Sequence, residues 1–440
     1  MLQGRSSGPR LLEDTDTAAL LAAIRQVDDP AEWFKGDWPL QNHFYRPIST
    51  LTFEWDDARS GGDAAKFGLT NALLAAACIM LLFWFLREAT DLPWLAGVSA
   101  ALFGLWHLGP TRVLPLQAVL LFLGLLSLLG ILRGGSRKVL PCILASLGCF
   151  FLTTQVSPVA EFAGRIVHWL PGRTASVMAV FALVSMAAFA RYVRLSGKRS
   201  VSEASIDDVP VSKHAPPTVE PSKWVWLWVL LSVVALALAL GSYEQAVMLP
   251  SALLGVAVLF AVQGRRSAWW PHVCFWLVLV GYLVLREQLL PGGTSGYQDQ
   301  QLRSGYGMWI VLAEYLLPGA RLVYMMVLTL SVGLALLLTT TFWFPFLVAL
   351  GNFPTYWRAW SEGRLRWTGF GFLLLSVVTF LPMAWLKHFG HYHYWPSAMR
   401  APFVVLLGVV VFRLLVSAAS PPVLQAPSRP RPAPGSLLHQ

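Results

Sequence analysis

Long apolar segments separated by short polar connections run through most of this 440-residue chain. A helix needs about 20 predominantly apolar residues to cross the hydrocarbon core of a bilayer. Segments of this kind lie at about 67–86, 93–108, 115–132, 139–155, 174–193, 223–241, 246–263, 269–286, 322–345, 367–386 and 399–416. Their apolar runs are continuous, whereas membrane-spanning strands alternate apolar and polar residues. The pattern therefore predicts an all-α fold, a polytopic transmembrane helical bundle with about 11 spans.

Two shorter patterns add helices that do not cross the membrane. Leu20, Leu21, Ile24 and Val27 recur at helical spacing, which predicts a short N-terminal helix with one apolar face. Residues 309–317 are apolar but too few to span a bilayer, so they predict a helix lying in the interface.

Two polar segments without apolar periodicity divide the chain. Residues 196–222 are rich in Ser, Pro and charge, and residues 417–440 are rich in Pro, so both are predicted to be disordered and cytosolic. The chain then has an extracytoplasmic N-terminal segment with the first loop (1–66), an N-terminal helix group (67–195), the linker, a C-terminal helix group (223–416) and the tail.

Composition and charge placement agree with a membrane protein. Hydrophobic residues make up 56% of the chain, charged residues 13%, and the mean hydropathy is +0.57. The net charge of +10 comes from Lys and Arg grouped in alternate connections, which indicates positive-inside topology and not a nucleic-acid surface. The basic connections are placed in the cytosol. Residues 1–66 then lie outside and the C-terminus inside, as in a multi-pass protein of a bacterial inner membrane.

The N-terminus fits this topology poorly. The first ten residues lack the apolar core of a signal peptide, yet the charge pattern places them outside. We expect either a first transmembrane helix upstream of Leu11 that is missing from this reading frame, or direct translocation of the short N-terminal segment.

Common catalytic and metal-binding signatures are missing from the sequence. It has no P-loop, no GxGxxG after a strand, no CxxC and no GxSxG. The four cysteines lie inside apolar segments without metal-ligand spacing, and we interpret them as small core residues: Cys78, Cys142, Cys149 and Cys274.

Two polar clusters near the N-terminus could carry chemistry. Asp14 and Asp16 precede the first short helix, where they could cap it or act as a general base, and a divalent cation could assist. Further on, His43, Tyr45 and Arg46 precede a proline, which disfavours helix and predicts an extended Arg46. That arginine could present its guanidinium to a phosphate or anchor the chain at the membrane interface.

Other ionisable residues lie in the later connections that the topology places outside. Glu161, Arg165, His168 and Arg173 share one loop, and Arg173 stands just ahead of a helix, where backbone amides could help it bind an anion. Glu244 lies in a short connection between two spans and could belong to a site or to an exposed turn. Lys387, His391 and His393 form a late cluster that suits a phosphate better than a metal ion, because an HxH pair alone is weak evidence for a metal.

Several short motifs follow one another in an order known from a class of membrane enzymes. They are EDTD (13–16), YRPIS (45–49), FGLTN (67–71), a divided element in 106–112 and 157–173, SYEQAVMLP (242–250) and YWPS (394–397). This order resembles the GT-C class of multispanning glycosyltransferases, in the group related to protein O-mannosyltransferases and transmembrane-TPR mannosyltransferases. The chain departs from that group in lacking a helix before the acidic pair and a TPR array after the membrane part.

The resemblance implies transfer of a sugar from a polyprenyl-phosphate donor to an acceptor protein or glycan on the extracytoplasmic side, with inversion. It makes Asp14 or Asp16 the general base. It assigns the lipid phosphate to Arg46, Arg173 and the 387–393 cluster, and the sugar or acceptor pocket to Glu161 and Glu244. Two other functions remain open, a noncatalytic membrane scaffold with this fold and, less favoured because the charges lie at span ends, a transporter or flippase.

Overall fold

A computed structural model describes residues 15–108, 114–133, 136–156, 169–196, 224–265, 267–302, 307–316, 363–387 and 390–419. Helices make up nearly all of the regular structure in these ranges, which also contain an isolated bridge between Leu302 and Leu386. The all-α prediction is confirmed for this part of the chain.

Fourteen α-helices are present in the described ranges. They are α1 (Thr15–Ile24), α2 (Pro47–Ser60), α3 (Ala64–Thr90), α4 (Pro93–Leu108), α5 (Leu114–Arg133), α6 (Ser136–Val156), α7 (Arg173–Ser196), α8 (Trp226–Leu240), α9 (Leu249–Val262), α10 (Trp270–Leu289), α11 (Gly296–Gln301), α12 (Gly307–Leu316), α13 (Gly363–Phe380) and α14 (Tyr394–Ala419). Short 3-10 helices precede α7, α9 and α14.

Six helices in the described ranges are long and apolar enough to cross a membrane. They are Ala64–Thr90, Leu170–Ser196, Glu244–Val262, Trp270–Leu289, Leu365–Met383 and Gly390–Val416, with bounds that include adjoining 3-10 turns. Four further predicted spans coincide with α4, α5, α6 and α8, which are not among these six helices. The predicted span 322–345 lies outside the described residues. The count of about 11 spans is therefore not confirmed.

Polar contacts fix the relative direction of the two central helices. Arg173 at the start of α7 donates to Asn71 near the start of α3, with Nε 2.6 Å from Oδ1. Near the other end of both helices, Arg191 pairs with Glu88 at 3.1 Å. α3 and α7 are therefore parallel. We call the end of the bundle that holds Arg173 and the nearby Arg46 the Arg46 end.

Two other helices finish at the Arg46 end. The carbonyl of Gly241, just after α8, accepts a hydrogen bond from Ile48 at the start of α2. Arg286, in the last turn of α10, reaches the carbonyl of His43. The connections at this end are those that the charge pattern placed outside, and all described candidate residues lie there. The orientation of the bundle in a membrane stays a prediction.

The helix α7 lies at the centre of the bundle and is almost entirely buried. Its sequence is rich in Ala, so neighbouring backbones can approach closely, as in helix packing within membranes. Ser185 on α7 and Ser232 on α8 exchange hydrogen bonds with each other's carbonyls, both at 2.9 Å. The N-terminal and C-terminal helix groups thus share one core, although the sequence divided them at a linker.

The N-terminal segment forms a second, smaller core against the bundle. Leu20, Leu21 and Ile24 of α1 are buried there, and Val27 is partly buried beside them, so the predicted apolar face is confirmed. Arg25 holds α1 to α2 through two 2.7 Å hydrogen bonds to Asp57.

The predicted short helix at 309–317 is present as α12. Its end is held by Arg400 of α14, whose Nη1 lies 2.6 Å from the carbonyl oxygen of Tyr315 and whose Nη2 lies 3.0 Å from that of Leu316. A cation at helix-terminal carbonyls satisfies acceptors that the helix leaves open. The four cysteines are free thiols; Cys78, Cys142 and Cys149 are buried, as predicted, and Cys274 is only partly buried.

Candidate functional site

A carboxylate organises the loop that leads into α2. Asp37 accepts backbone hydrogen bonds from Trp38 at 2.7 Å, His43 at 2.9 Å and Phe44 at 2.8 Å. Gln41 and His43 adopt left-handed backbone conformations, with φ of 53° and 58°. These tight turns fold the loop back on itself and direct the residues after it toward the end of the bundle.

Arg46 and Glu244 form the centre of the site. Glu244 accepts hydrogen bonds from Nε of Arg46 at 2.9 and 3.0 Å and from Nη2 at 2.6 Å. The side chains are only 12% and 20% exposed. Arg46 does not continue into α2, since its φ of −133° and ψ of 49° are not helical. The proline that follows disfavours helix at this position, but the ψ of Arg46 lies below the extended range that the sequence predicted.

Aromatic rings surround the Arg46 guanidinium. Its central carbon lies 4.1 Å from the ring centroid of Phe44, 4.7 Å from that of Tyr243 and 5.3 Å from that of Trp38. Burial lowers the pKa of Arg46, but the charge and hydrogen bonds of Glu244 outweigh burial and leave the Arg46 pKa above its ordinary value. The guanidinium is therefore a permanent cation at any accessible pH.

Two of the quoted motifs meet at this pair although about 200 positions separate them along the chain. Beside the Arg46–Glu244 contact, the Ile48 amide donates to the Gly241 carbonyl at 3.0 Å. The Ser49 hydroxyl donates to the Ser242 carbonyl at 2.8 Å. YRPIS and SYEQ thus pack side by side.

Five tyrosines gather around the Arg46–Glu244 pair: Tyr45, Tyr243, Tyr282, Tyr297 and Tyr392. Burial raises the pKa of Tyr45 and of Tyr297, and it raises the pKa of Tyr243 well above its ordinary value. These phenols stay neutral at physiological pH. They offer hydroxyl donors and flat ring faces, the surface chemistry that suits a sugar ring.

The acidic residue that the sequence proposed as a base lies near this cluster. Asp16 is exposed at the start of α1. The pKa of Tyr297 is raised, mainly by burial and also by the negative charge of Asp16. The positive charge of Arg46 lowers the pKa of the same phenol. Asp16 and Arg46 therefore both lie within electrostatic range of Tyr297. Asp14 lies outside the described residues.

Arg173 has protein partners where the sequence suggested a phosphate. It is fully buried and pairs with Asp56 at 2.6 Å. Its Nε bonds Asn71, its Nη1 bonds the Thr52 carbonyl at 3.1 Å and its Nη2 bonds the Phe67 carbonyl at 3.1 Å. All three nitrogens are occupied, so we assign Arg173 to the fold and leave it out of the proposed phosphate site.

The late cationic cluster is split by the fold. His391 is buried with its ring 5.1 Å from that of Trp169 and 6.1 Å from that of Tyr243, beside the Arg46 site. His393 is buried between Phe380 and other aromatic rings, away from solvent. Lys387 is exposed on the connection before α14. These three residues do not form one cationic patch.

Glu161, Arg165 and His168 lie outside the described residues. Within the described part of the chain, no group of three His, Cys, Asp or Glu side chains is placed to hold a metal ion.

Sequence reasoning missed several residues of the site. Tyr243 stood beside Glu244 in the SYEQ motif and was not singled out. Tyr282 and Arg286 interrupt the end of an apolar span four residues apart, which is a helical-face signal that could have identified them. Tyr297 lay in a long polar connection without any distinguishing pattern.

Comparison of the chain with known protein families, with curated proteins and with solved structures gives no match.

Proposed function

We propose that this protein is an integral membrane glycosyltransferase that moves a sugar from a polyprenyl-phosphate donor to an acceptor hydroxyl on the extracytoplasmic side. The site is the Arg46–Glu244 pair with its surrounding tyrosines. Asp14 or Asp16 is the general base. The acceptor is a protein or a glycan.

The observation that carries this proposal is the meeting of YRPIS and SYEQ in one tyrosine-rich, partly buried ion pair. A permanently charged arginine, a carboxylate and several neutral phenols lie together at one end of an apolar bundle. Such a site matches an amphiphilic donor, because its lipid can lie against the helices while its phosphate and sugar meet polar groups.

The reaction is a single displacement. The acceptor oxygen attacks the anomeric carbon while the base carboxylate takes the hydroxyl proton. The bond from the anomeric carbon to the phosphate oxygen breaks, and that oxygen leaves with the electron pair as polyprenyl phosphate. The configuration at the anomeric carbon inverts. Cationic groups stabilise the negative charge that develops on the leaving oxygen.

Replacing both Asp14 and Asp16 by Asn tests the base assignment. We expect transfer from a labelled lipid-linked donor to be abolished, while folding in detergent is unchanged. Asp28→Asn is the matched control, because Asp28 is an exposed carboxylate on the same N-terminal segment with no hydrogen bond or ion pair among the described residues. Full activity of the double variant would contradict the assignment of Asp14 or Asp16 as the general base.

A noncatalytic scaffold is a second candidate, and one observation favours it. Glu244 already neutralises Arg46 and occupies two of its nitrogens, which leaves this arginine less available to a phosphate. A scaffold would bind lipid or a partner protein but would form no product from any lipid-linked sugar. Product formation therefore separates the two functions.

A further inference from the structure

Two side chains on one face of α10 have buried polar atoms without a hydrogen-bond partner among the described residues. Tyr282 is 8% exposed, and its buried hydroxyl has no hydrogen-bond partner among the described residues. One turn further along, Nε of Arg286 is also buried without a partner in that part of the chain. The single hydrogen bond of Arg286 there runs from Nη2 to the His43 carbonyl at 3.4 Å. Buried donors without acceptors are costly, so such a pair points to a ligand.

The charges around these two groups favour an anion. Arg46 and Glu244 cancel each other, while the positive charge of Arg286 forms no ion pair among the described residues. The Tyr282 hydroxyl lies within electrostatic range of all three charged groups and of Tyr45. A guanidinium and a phenol hydroxyl converge here as donors, and guanidinium groups match the geometry of phosphate oxygens.

The outer face of the same helix gives a lipid access to this point. α10 is the least buried of the candidate spans, and its exposed side chains before the last turn are apolar, among them Leu277, Val280 and Val284, whereas the last turn also exposes Glu287. A hydrocarbon chain can therefore lie along α10 in the bilayer while its head group reaches Arg286 in the last helical turn. A free phosphate would gain nothing from this apolar face.

We propose that Tyr282 and Arg286 form a binding site for the phosphate of a polyprenyl phosphate, entered from the membrane along α10. The inference rests on the proposed function, which requires such a phosphate, and it assigns the uncompensated charge to Arg286 where the sequence pointed to Arg46. In the transfer reaction this site would hold the donor phosphate and then the leaving polyprenyl phosphate.

The test measures binding of polyprenyl phosphate to the purified full-length protein in detergent. Arg286→Gln should weaken binding about 10- to 100-fold, since it removes a charged hydrogen-bond donor. Tyr282→Phe keeps the ring packing and should weaken binding about 2- to 10-fold. Arg59→Gln is the control, because it removes the same charge from an exposed arginine that stacks on Trp55.

Two further ligands distinguish a site for a lipid phosphate from a site for free phosphate. The corresponding polyprenol, which lacks the phosphate, should bind much more weakly and equally in all variants. Inorganic phosphate should bind weakly. Inorganic phosphate binding as tightly as the lipid phosphate, with the same loss in Arg286→Gln, would overturn the lipid assignment. Unchanged affinity of Arg286→Gln for polyprenyl phosphate would overturn the site itself.

Failure of this inference is distinguishable from failure of the proposed function. Phosphate-dependent binding through Arg286 without sugar transfer by the wild-type protein supports the site and contradicts the transferase. Sugar transfer by a protein whose affinity for polyprenyl phosphate does not depend on Arg286 or Tyr282 supports the transferase and contradicts the site.

Discussion

The burial of the Arg46–Glu244 pair determines how much this pair contributes to the stability of the fold. Glu244→Gln keeps the shape of the side chain but leaves a cation that is 12% exposed without its carboxylate. Breaking a buried ion pair costs about 3–5 kcal/mol, and the partial exposure of this pair places it near the lower limit. We expect a loss of about 3 kcal/mol, or roughly a 100-fold change in the folding equilibrium.

The Arg25–Asp57 pair provides a matched comparison. It is also bidentate, with two 2.7 Å contacts, but its arginine side chain is 55% exposed. Exposed pairs contribute about 0.2–1 kcal/mol, so Asp57→Asn should cost no more than that.

The assay is unfolding by SDS in mixed micelles, followed by tryptophan fluorescence, with a double-mutant cycle for each pair. For Arg46 and Glu244 we expect a coupling energy of about 2 kcal/mol or more, because the double variant no longer holds an unpaired buried charge. Equal destabilisation by Glu244→Gln and Asp57→Asn would refute the argument that burial decides the effect.

Three further predictions concern packing and buried charge. Arg173→Met should destabilise the fold by about 3–5 kcal/mol by leaving the Asp56 carboxylate buried and unpaired, and adding Asp56→Asn should restore part of the loss in the same unfolding assay. Gly148→Ala should cost about 1–3 kcal/mol, since the new methyl group would clash with a Val411 methyl. Adding Val411→Ala should relieve that strain. Gly281→Ala, inside α10 with nothing within 4 Å of the new methyl group, should leave the melting temperature unchanged or raise it, and a lowered value would contradict this account of helix packing.

The helices were predictable from the sequence because a bilayer imposes a simple rule. Apolar segments of the required length become helices, since backbone groups must be satisfied within each segment. Most of the described helices therefore coincide with predicted segments, down to the buried face of α1, whereas α2 and α11 lie in polar stretches where no helix was predicted. That rule contains no information about which helices are neighbours.

The candidate site was only partly predictable for the same reason. Arg46 and Glu244 were identified separately, but nothing in the local sequence reveals that residues so far apart form an ion pair. Arg173 was expected to bind a phosphate because it precedes a helix. Only the three-dimensional arrangement shows that its guanidinium pairs with Asp56. Arg286 looked like an ordinary basic residue at the end of a span, and only the fold shows that it lies near Tyr282 and forms no ion pair with any described residue.

The most direct test of the central claim is sugar transfer by the reconstituted full-length protein from a labelled polyprenyl-phosphate donor. We predict a labelled acceptor, release of polyprenyl phosphate in equal amount, and loss of both in the Asp14→Asn, Asp16→Asn double variant but not in Asp28→Asn. Binding of polyprenyl phosphate without formation of product from any lipid-linked sugar would contradict the transferase function and support the noncatalytic scaffold.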